Sequence, residues 1–335
     1  KKNKNLRSIY FTLCSNNYLP FAVSLGKSVK HFIPEARFVI GLVDRIHPEI
    51  DYVFLGDFEV IPCFDLGYGE FEAMVAGYNI IEFNTAVKPF YFEYLFGKYP
   101  EVDRIYYLDP DLLFYQSPEL LEWPWKTDSS IQLTPNLIYL PQQIVRGELA
   151  SLKHGYNNLG YIGMQRGEET DKIISWWKER LTTYCKLDKC RGIFVDQKWM
   201  DLVPLFFNGI VSVKHPGWNM AWWNLSERKL GKNENGFFVN NFQTPLVFFH
   251  FSGFKPGAVT MTERIQSAEF DMESEGALRE LFDGYESLLL ENGFERISKI
   301  KPLIKFKVTP NTFKNRIGRR IKSKMTNAIY RIFGV

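Results

Sequence analysis

Cysteine is scarce: Cys14, Cys63, Cys185 and Cys190 are the only four in 335 residues. Their spacing matches no tetrahedral metal pattern, and so few cannot staple a disulfide scaffold. Reduced thiols in a reducing compartment are the expectation, with a Cys185–Cys190 bridge left open. No run approaches 18 consecutive apolar residues, the length a membrane-crossing helix needs. The opening KKNKNLRSIY has neither the apolar core nor the cleavage site of a signal peptide. A protein that is soluble, or that sits on a membrane without crossing it, is therefore expected. Glycine-rich phosphate loops are missing too. No G-x-G-x-x-G follows the first strand pattern, and no G-x-x-x-x-G-K-[ST] occurs anywhere. Internal repeats and low-complexity stretches are also absent.

What is present is an apolar content of 45% with 16% aromatics, enough for one large α/β domain and a smaller appendage. The net charge of +3 hides an asymmetry. From Arg296 to Val335 there are 12 Lys or Arg and no Asp or Glu, which leaves 29 basic against 38 acidic residues in the rest. An acidic body carries a basic tail.

Residues 8–14 (SIYFTLC) and 37–43 (RFVIGLV) read as buried strands, and the apolar spacing between them predicts a helix over 21–32. Strand, helix, strand is a parallel unit with a right-handed crossover. Ligands of such sheets bind beyond the carboxyl ends of the strands, which places Cys14–Ser15–Asn16 and Asp44 at a nucleotide edge. A helix around 87–98 leads to the strand RIYYLD. Residues 131–165 read as strands with loops, and 169–185, 194–203 and 261–295 as helices.

The apolar run YYLDPDLLFY sets two carboxylates, Asp109 and Asp111, two residues apart. In extended backbone they face one side, and Pro110 stiffens the link. Two like charges in such surroundings need a cation between them. A chain without glycine-rich loops has a matching need, because a divalent ion can hold a diphosphate in their place. A second candidate element is VFFHFSGFKPG at 247–257. There His250 is either a third ligand or a satisfied core histidine, and Lys255 is a point charge within reach of a phosphate.

These pieces, in order, carry a resemblance. FTLCSNNYLPFAVSLGKS, FNTAVKPF, YLDPDLLF, YNNLGYIGM with FVDQKW, and HFSGFKP span residues 8 to 257. Together they resemble the GT-A fold glycosyltransferases, most of all the retaining family-eight group of glycogenin and the lipopolysaccharide galactosyltransferases. The resemblance implies a mixed, mostly parallel sheet flanked by helices with a C-terminal helical extension. With the change of pattern after residue 255 and with Pro302 and Pro310 ahead of the basic run, the expected division is a catalytic domain over 1–257, a helical extension over 258–300 and a basic amphipathic tail over 301–335. The resemblance also implies Mn²⁺ or Mg²⁺ on Asp109, Asp111 and His250, and a nucleoside-diphosphate sugar, UDP-linked, as donor. Ser15, Asn16 and Asp44 would lie near the nucleotide, and Lys88 beside the donor phosphate or sugar. Asn158 and Gly160 would line the sugar, with Gly253 and Lys255 at the phosphates. Asp196 would bond the sugar hydroxyls, and Gln197 would lie under the anomeric carbon. Two departures stand out. Lys88 replaces the usual arginine, and the closing motif is one residue short and lacks its tryptophan.

The reaction so implied moves a hexose to a glycan or lipid-linked acceptor. Gln197 is a poor nucleophile, which favours front-face substitution with retention over double displacement. Asp196 as a helix cap, Asn158 as a turn residue and 215–225 (HPGWNMAWWNL) as core remain open beside these roles. A partly exposed loop is preferred for the last, with Trp222, Trp223 and Asn224 meeting sugar. Asn224–Leu225–Ser226 is formally a sequon and is given little weight. The tail aligns Phe313, Ile317, Ile321, Met325, Ile329 and Ile332 on one helical face, with basic residues mostly elsewhere. That pattern fits residues 311–335 lying on an anionic membrane, at the cytoplasmic face, or else packing on protein. Nucleic acid is not expected as a partner, since the body is acidic and no nucleic-acid motif is present. The alternatives are a sugar-nucleotide- or carbohydrate-binding module without catalysis and, favoured less, a nucleic-acid-binding protein using the basic tail.

Overall fold

The structure is a computed structural model that describes residues 7–139, 146–240, 244–257 and 275–306. From the N-terminal side, β1 (Ser8–Cys14), α1 (Leu19–Phe32), β2 (Arg37–Leu42) and β3 (Glu59–Pro62) come first. The helices α2 (Glu70–Gly77), α3 (Ile80–Ala86) and α4 (Lys88–Lys98) precede β4 (Arg104–Leu108), β5 (Leu112–Phe114) and β6 (Ile131–Pro135). Next are α5 (Arg146–His154), β7 (Asn157–Gln165), α6 (Glu168–Tyr184), β8 (Leu187–Asp188) and β9 (Ile193–Phe194). They are followed by α7 (Val203–Phe206), β10 (Ile210–Ser212), β11 (Met220–Ala221), β12 (Leu230–Asn233) and β13 (Gly236–Val239). The last described elements are β14 (Thr244–Pro245), β15 (Phe248–His250), α8 (Glu275–Glu291) and α9 (Phe294–Ile297).

Seven strands form the central sheet in the order β10-β6-β7-β4-β1-β2-β3. Pairings β1–β2, β1–β4, β2–β3 and β6–β10 are parallel, and β7 alone runs against its neighbours β4 and β6. The expected mixed, mostly parallel sheet flanked by helices is what the chain forms. β1 is apolar on both faces because both are covered. Ile9, Phe11 and Leu13 enter one core cluster, and Tyr10 and Cys14 a second.

The expected strands and helices of the first hundred residues appear within a few residues of their sequence limits. α1 starts two residues early, since Pro20 fits a first helical turn, where its missing N–H costs nothing. The stretch 131–165 holds a helix, α5, that its polar composition did not announce. Residues 194–203 form only a 3-10 turn (Gln197–Leu202) before α7. All four cysteines are free, Cys185 buried and Cys190 exposed.

The helical extension is part of the same body. Phe251, just past β15, stacks on Tyr285 of α8 with ring centroids 3.7 Å apart. Asn292 ties the end of this region to α1, accepting from Lys27 Nζ at 2.5 Å and donating to Ser24 Oγ at 2.9 Å. The region 258–274 and the tail from 307 on, with its amphipathic face, lie outside the described residues.

Residues 301–306 return to the carboxyl edge of the sheet. Leu303 N and Ile304 N both donate to Asp44, each at 3.1 Å from Oδ1. Ile304 is buried, and Phe306 packs on Phe83 at 5.7 Å. A chain cut after residue 306 keeps these contacts and is the reference for a shorter one. A cut after residue 300 strips two N–H donors from a fully buried carboxylate, and a loss on the order of 2–4 kcal/mol is expected in urea melts. Equal midpoints for the two truncations would show that the segment contributes nothing.

Candidate metal and donor site

β4 delivers its chain end to the middle of the sheet's carboxyl edge, and the turn Asp109–Pro110–Asp111 follows at once. Backbone bonds hold both acids. Asp109 N donates to Gly160 O of β7 at 2.8 Å, and Leu112 N closes the turn onto Asp109 O at 3.1 Å. β5 then pairs antiparallel with β15, with Leu112 opposite His250. Phe251 N donates to Asp111 O at 2.8 Å. A strand 139 positions further along thus sets its histidine against the two aspartates.

The separations are small. His250 Nε2 lies 3.1 Å from Asp111 Oδ1 and 3.7 Å from Asp109 Oδ2. One ligand atom from each of the three falls within 4.8 Å of the others. Neighbouring ligands of an octahedral ion with bonds of about 2.1 Å lie about 3 Å apart, so this donor set fits a small divalent cation. Two carboxylates and an imidazole are a donor set for a divalent ion, and by themselves they do not choose among such ions. Burial pulls the His250 pKa down, but Asp111 and Asp109 outweigh it and the net direction is up. The Tyr107 hydroxyl donates to Asp109 Oδ1, and burial with that carboxylate raises the phenol well above its usual range.

The histidine is boxed in. Asn219 Oδ1 is 3.1 Å from its Nδ1, and Trp223 meets its ring edge to face at 5.1 Å. On another side is Gly160. A Cβ there would lie 2.5 Å from His250 Cε1 and 2.8 Å from both its Nδ1 and Asn158 Oδ1. Gly160 therefore serves the imidazole by having no side chain. Gly160→Ala should displace the ring, costing about 1–3 kcal/mol and weakening Mn²⁺ binding at least ~10-fold. Unchanged Mn²⁺ affinity by calorimetry would refute this.

Behind the cluster lies a buried ion pair. Lys88 Nζ is 2.7 Å from Asp196 Oδ2 and 3.8 Å from Asp109 Oδ1, and donates to Leu159 O at 2.9 Å. Burial lowers the Lys88 pKa, yet Asp196 and Asp109 more than offset this and keep the amine charged. Asp196 precedes the 3-10 turn but its side chain makes no cap bond. Gln197 bridges two backbones, accepting from Leu159 N at 3.2 Å and donating to His154 O at 3.1 Å. Asn158 Oδ1 accepts from Gly160 N at 3.0 Å, a local turn bond.

The residues assigned to the nucleotide do stand at the carboxyl ends of β1 and β2, but their polar atoms are committed internally. Asn16 Nδ2 donates to Asp44 Oδ2 at 2.7 Å and to Arg45 O at 2.9 Å, and Tyr52 donates to its oxygen. Ser15 Oγ donates to Asn17 at 2.7 Å. Asp44 is fully buried beneath residues 303–304. A sequence reading that ended the catalytic domain at 257 had no cause to place a later segment there. Gly253 adopts φ +77°, turning the chain after β15 and leaving Lys255 exposed.

The aromatic stretch divides. Trp218 and Asn224 are buried, while Trp222 and Trp223 are half-buried beside the cluster. Asn224 accepts from Ala221 N at 2.9 Å and donates to Asn219 O at 3.0 Å, so its amide is structural and unavailable as a sequon. Asn219 and Tyr107 went unnoticed in the sequence. For Tyr107 the signal was its position two residues before Asp109 on the same strand face, whereas for Asn219 no spacing signal existed.

No family model matches the chain. Among curated proteins it is similar to the uncharacterized protein YfnF of Bacillus subtilis (strain 168), 25% identical over 263 residues, 78% of this chain and 86% of YfnF. It is also similar to YfnD of the same organism, 25% identical over 206 residues, 61% of this chain and 63% of YfnD. Among solved structures it is similar to the galactosyltransferase LgtC in complex with donor and acceptor sugar analogs. That likeness is 16% identical with TM-score 0.49, over 80% of this chain and 99% of that one. Mouse xyloside xylosyltransferase 1 is 14% identical with TM-score 0.45, over 75% of this chain and 100% of that one.

Proposed function

We propose that the protein is a metal-dependent glycosyltransferase that moves a hexose from a nucleoside-diphosphate sugar, UDP-linked, to a glycan or lipid-linked acceptor. The observation that carries this reading is the convergence of Asp109, Asp111 and His250 at the carboxyl edge of the sheet. An isolated structural site for a cation would not need that position, which is where α/β sheets take ligands. When bound, Mn²⁺ or Mg²⁺ supplies positive charge to the diphosphate as it departs. Asp109, Asp111 and His250 would hold that ion. Lys88, held charged behind Asp109, adds positive potential at the same place. Lys255, exposed after the turn at Gly253, is the mobile cation for a phosphate oxygen.

Retention by front-face substitution is the stereochemical part of the proposal. Gln197 occupies its position with an amide already engaged at both ends, and an amide is not a competent displacing nucleophile. Proton NMR of fresh product should show the donor's α configuration kept, and a β product would overturn this part. The tail over 311–335 is proposed to bring the enzyme to anionic lipid at the inner face of the cytoplasmic membrane. Truncation after residue 306 should abolish sedimentation with anionic vesicles while sparing soluble-acceptor activity.

The decisive experiment follows nucleoside diphosphate release from a panel of nucleotide sugars, with Mn²⁺ and with excess chelator. At least one donor should turn over only with metal. Saturable donor binding without turnover would instead make the protein a sugar-nucleotide-binding module.

A further inference from the structure

The residue that holds His250 from behind is itself held in an unusual way. Asn219 is fully buried, and its backbone sits in the left-handed region at φ +50°. Asparagine tolerates that region better than other residues with a side chain of its size. Its carbonyl oxygen accepts from Asn224, which also pins Ala221 N. β11 then pairs with β15, with Ala221 opposite His250. The strained position is thus fastened to the histidine's own strand. Of the two ends of the Asn219 amide, Oδ1 faces His250 Nδ1 at 3.1 Å, while Nδ2 is buried with no hydrogen-bond partner.

A buried amide nitrogen without a partner costs about 1–3 kcal/mol. Such a cost is tolerated where the other end of the group is needed. With an oxygen facing it, Nδ1 keeps its proton, and the lone pair of the neutral ring is on Nε2. Nε2 is the atom directed at Asp111 and Asp109. Tautomer and ring orientation are thereby set by one contact, as in other sites where a histidine ligand donates its second N–H to a fixed acceptor.

We propose that Asn219 is a positioning residue of the cation site, its side-chain oxygen fixing His250 in the Nδ1–H tautomer so that Nε2 faces the cation. This rests on the metal-dependent reading above. Nothing in the proposal requires the Nδ2 end, so an acceptor alone suffices. Aspartate in its place retains the oxygen and the tolerance of φ +50°, whereas glycine retains the backbone freedom and loses the oxygen.

The test uses the full chain and Mn²⁺ alone, with free Mn²⁺ read by electron paramagnetic resonance. Asn219→Gly should bind Mn²⁺ about 10–100-fold more weakly than the parent. Asn219→Asp should bind as tightly or more tightly. Nitrogen-15 NMR of the parent with Mg²⁺ gives a second readout that needs no variant to fold. His250 should carry its proton on Nδ1. Parent-like affinity in Asn219→Gly, equal weakening in Asn219→Asp, or a proton on Nε2 would each overturn the proposal while the metal site stands. A parent with no saturable Mn²⁺ site would instead overturn the metal reading and this inference together.

Discussion

Asp111→Asn, and likewise Asp109→Asn, should lower donor turnover on the order of 10²-fold or more and remove measurable Mn²⁺ binding. Each amide keeps the shape of the acid, so the turn that holds residues 109–111 by its backbone should persist. The metal-free protein should then be no less stable than the parent. Its two carboxylates crowd one small space, and the repulsion relieved by removing one charge offsets what Asp109 loses toward Lys88 or Asp111 toward His250. Loss of activity with an unchanged urea midpoint is the signature of a ligand. Near-normal turnover in both variants, or full activity in excess chelator, would remove the cation from the reaction.

The second large effect is on stability. Lys88 and Asp196 are each about 2% exposed and 2.7 Å apart. Lys88→Met leaves the Asp196 carboxylate buried without its counter-charge, at a cost of about 3–5 kcal/mol. The double variant Lys88→Met with Asp196→Asn should recover much of that loss, since no stranded charge remains. Urea unfolding of the two single variants and the double forms the cycle. If the double variant is as unstable as Lys88→Met alone, the loss comes from packing and from the bond to Leu159 O, not from the charge pair.

Such a pair between 88 and 196 is not visible in either stretch of sequence. The resemblance sent both residues to the donor, one to a phosphate and one to sugar hydroxyls. Folding also brings the start of α4 and the residue after β9 together, with Lys88 Nζ bonded to Leu159 O of β7, where two buried charges are tolerable as each other's partners. Gln197 shows the same effect. Its type argued against a displacement mechanism, but only the approach of β7 and the end of α5 shows both ends of its amide engaged.

Local pattern alone determined β1, α1, β2 and α4, because apolar period and turn residues are properties of adjacent positions, but it did not mark β3, α2 or α3. It also marked Asp109 and Asp111 as a pair at a strand end, although the chain sets them in a hydrogen-bonded turn and not in the extended backbone expected. The expected sheet followed from parallel strands needing helical crossovers. Tertiary structure decided everything that joins distant segments. Antiparallel pairing of β5 with β15 brought His250 to the aspartates, and an Asn at a positive φ completed its setting. The return of residues 303–304 turned Asp44 from a nucleotide-edge candidate into a buried anchor. Backbone donors satisfy that carboxylate whatever side chains they carry, so no residue pattern marks such a contact in advance.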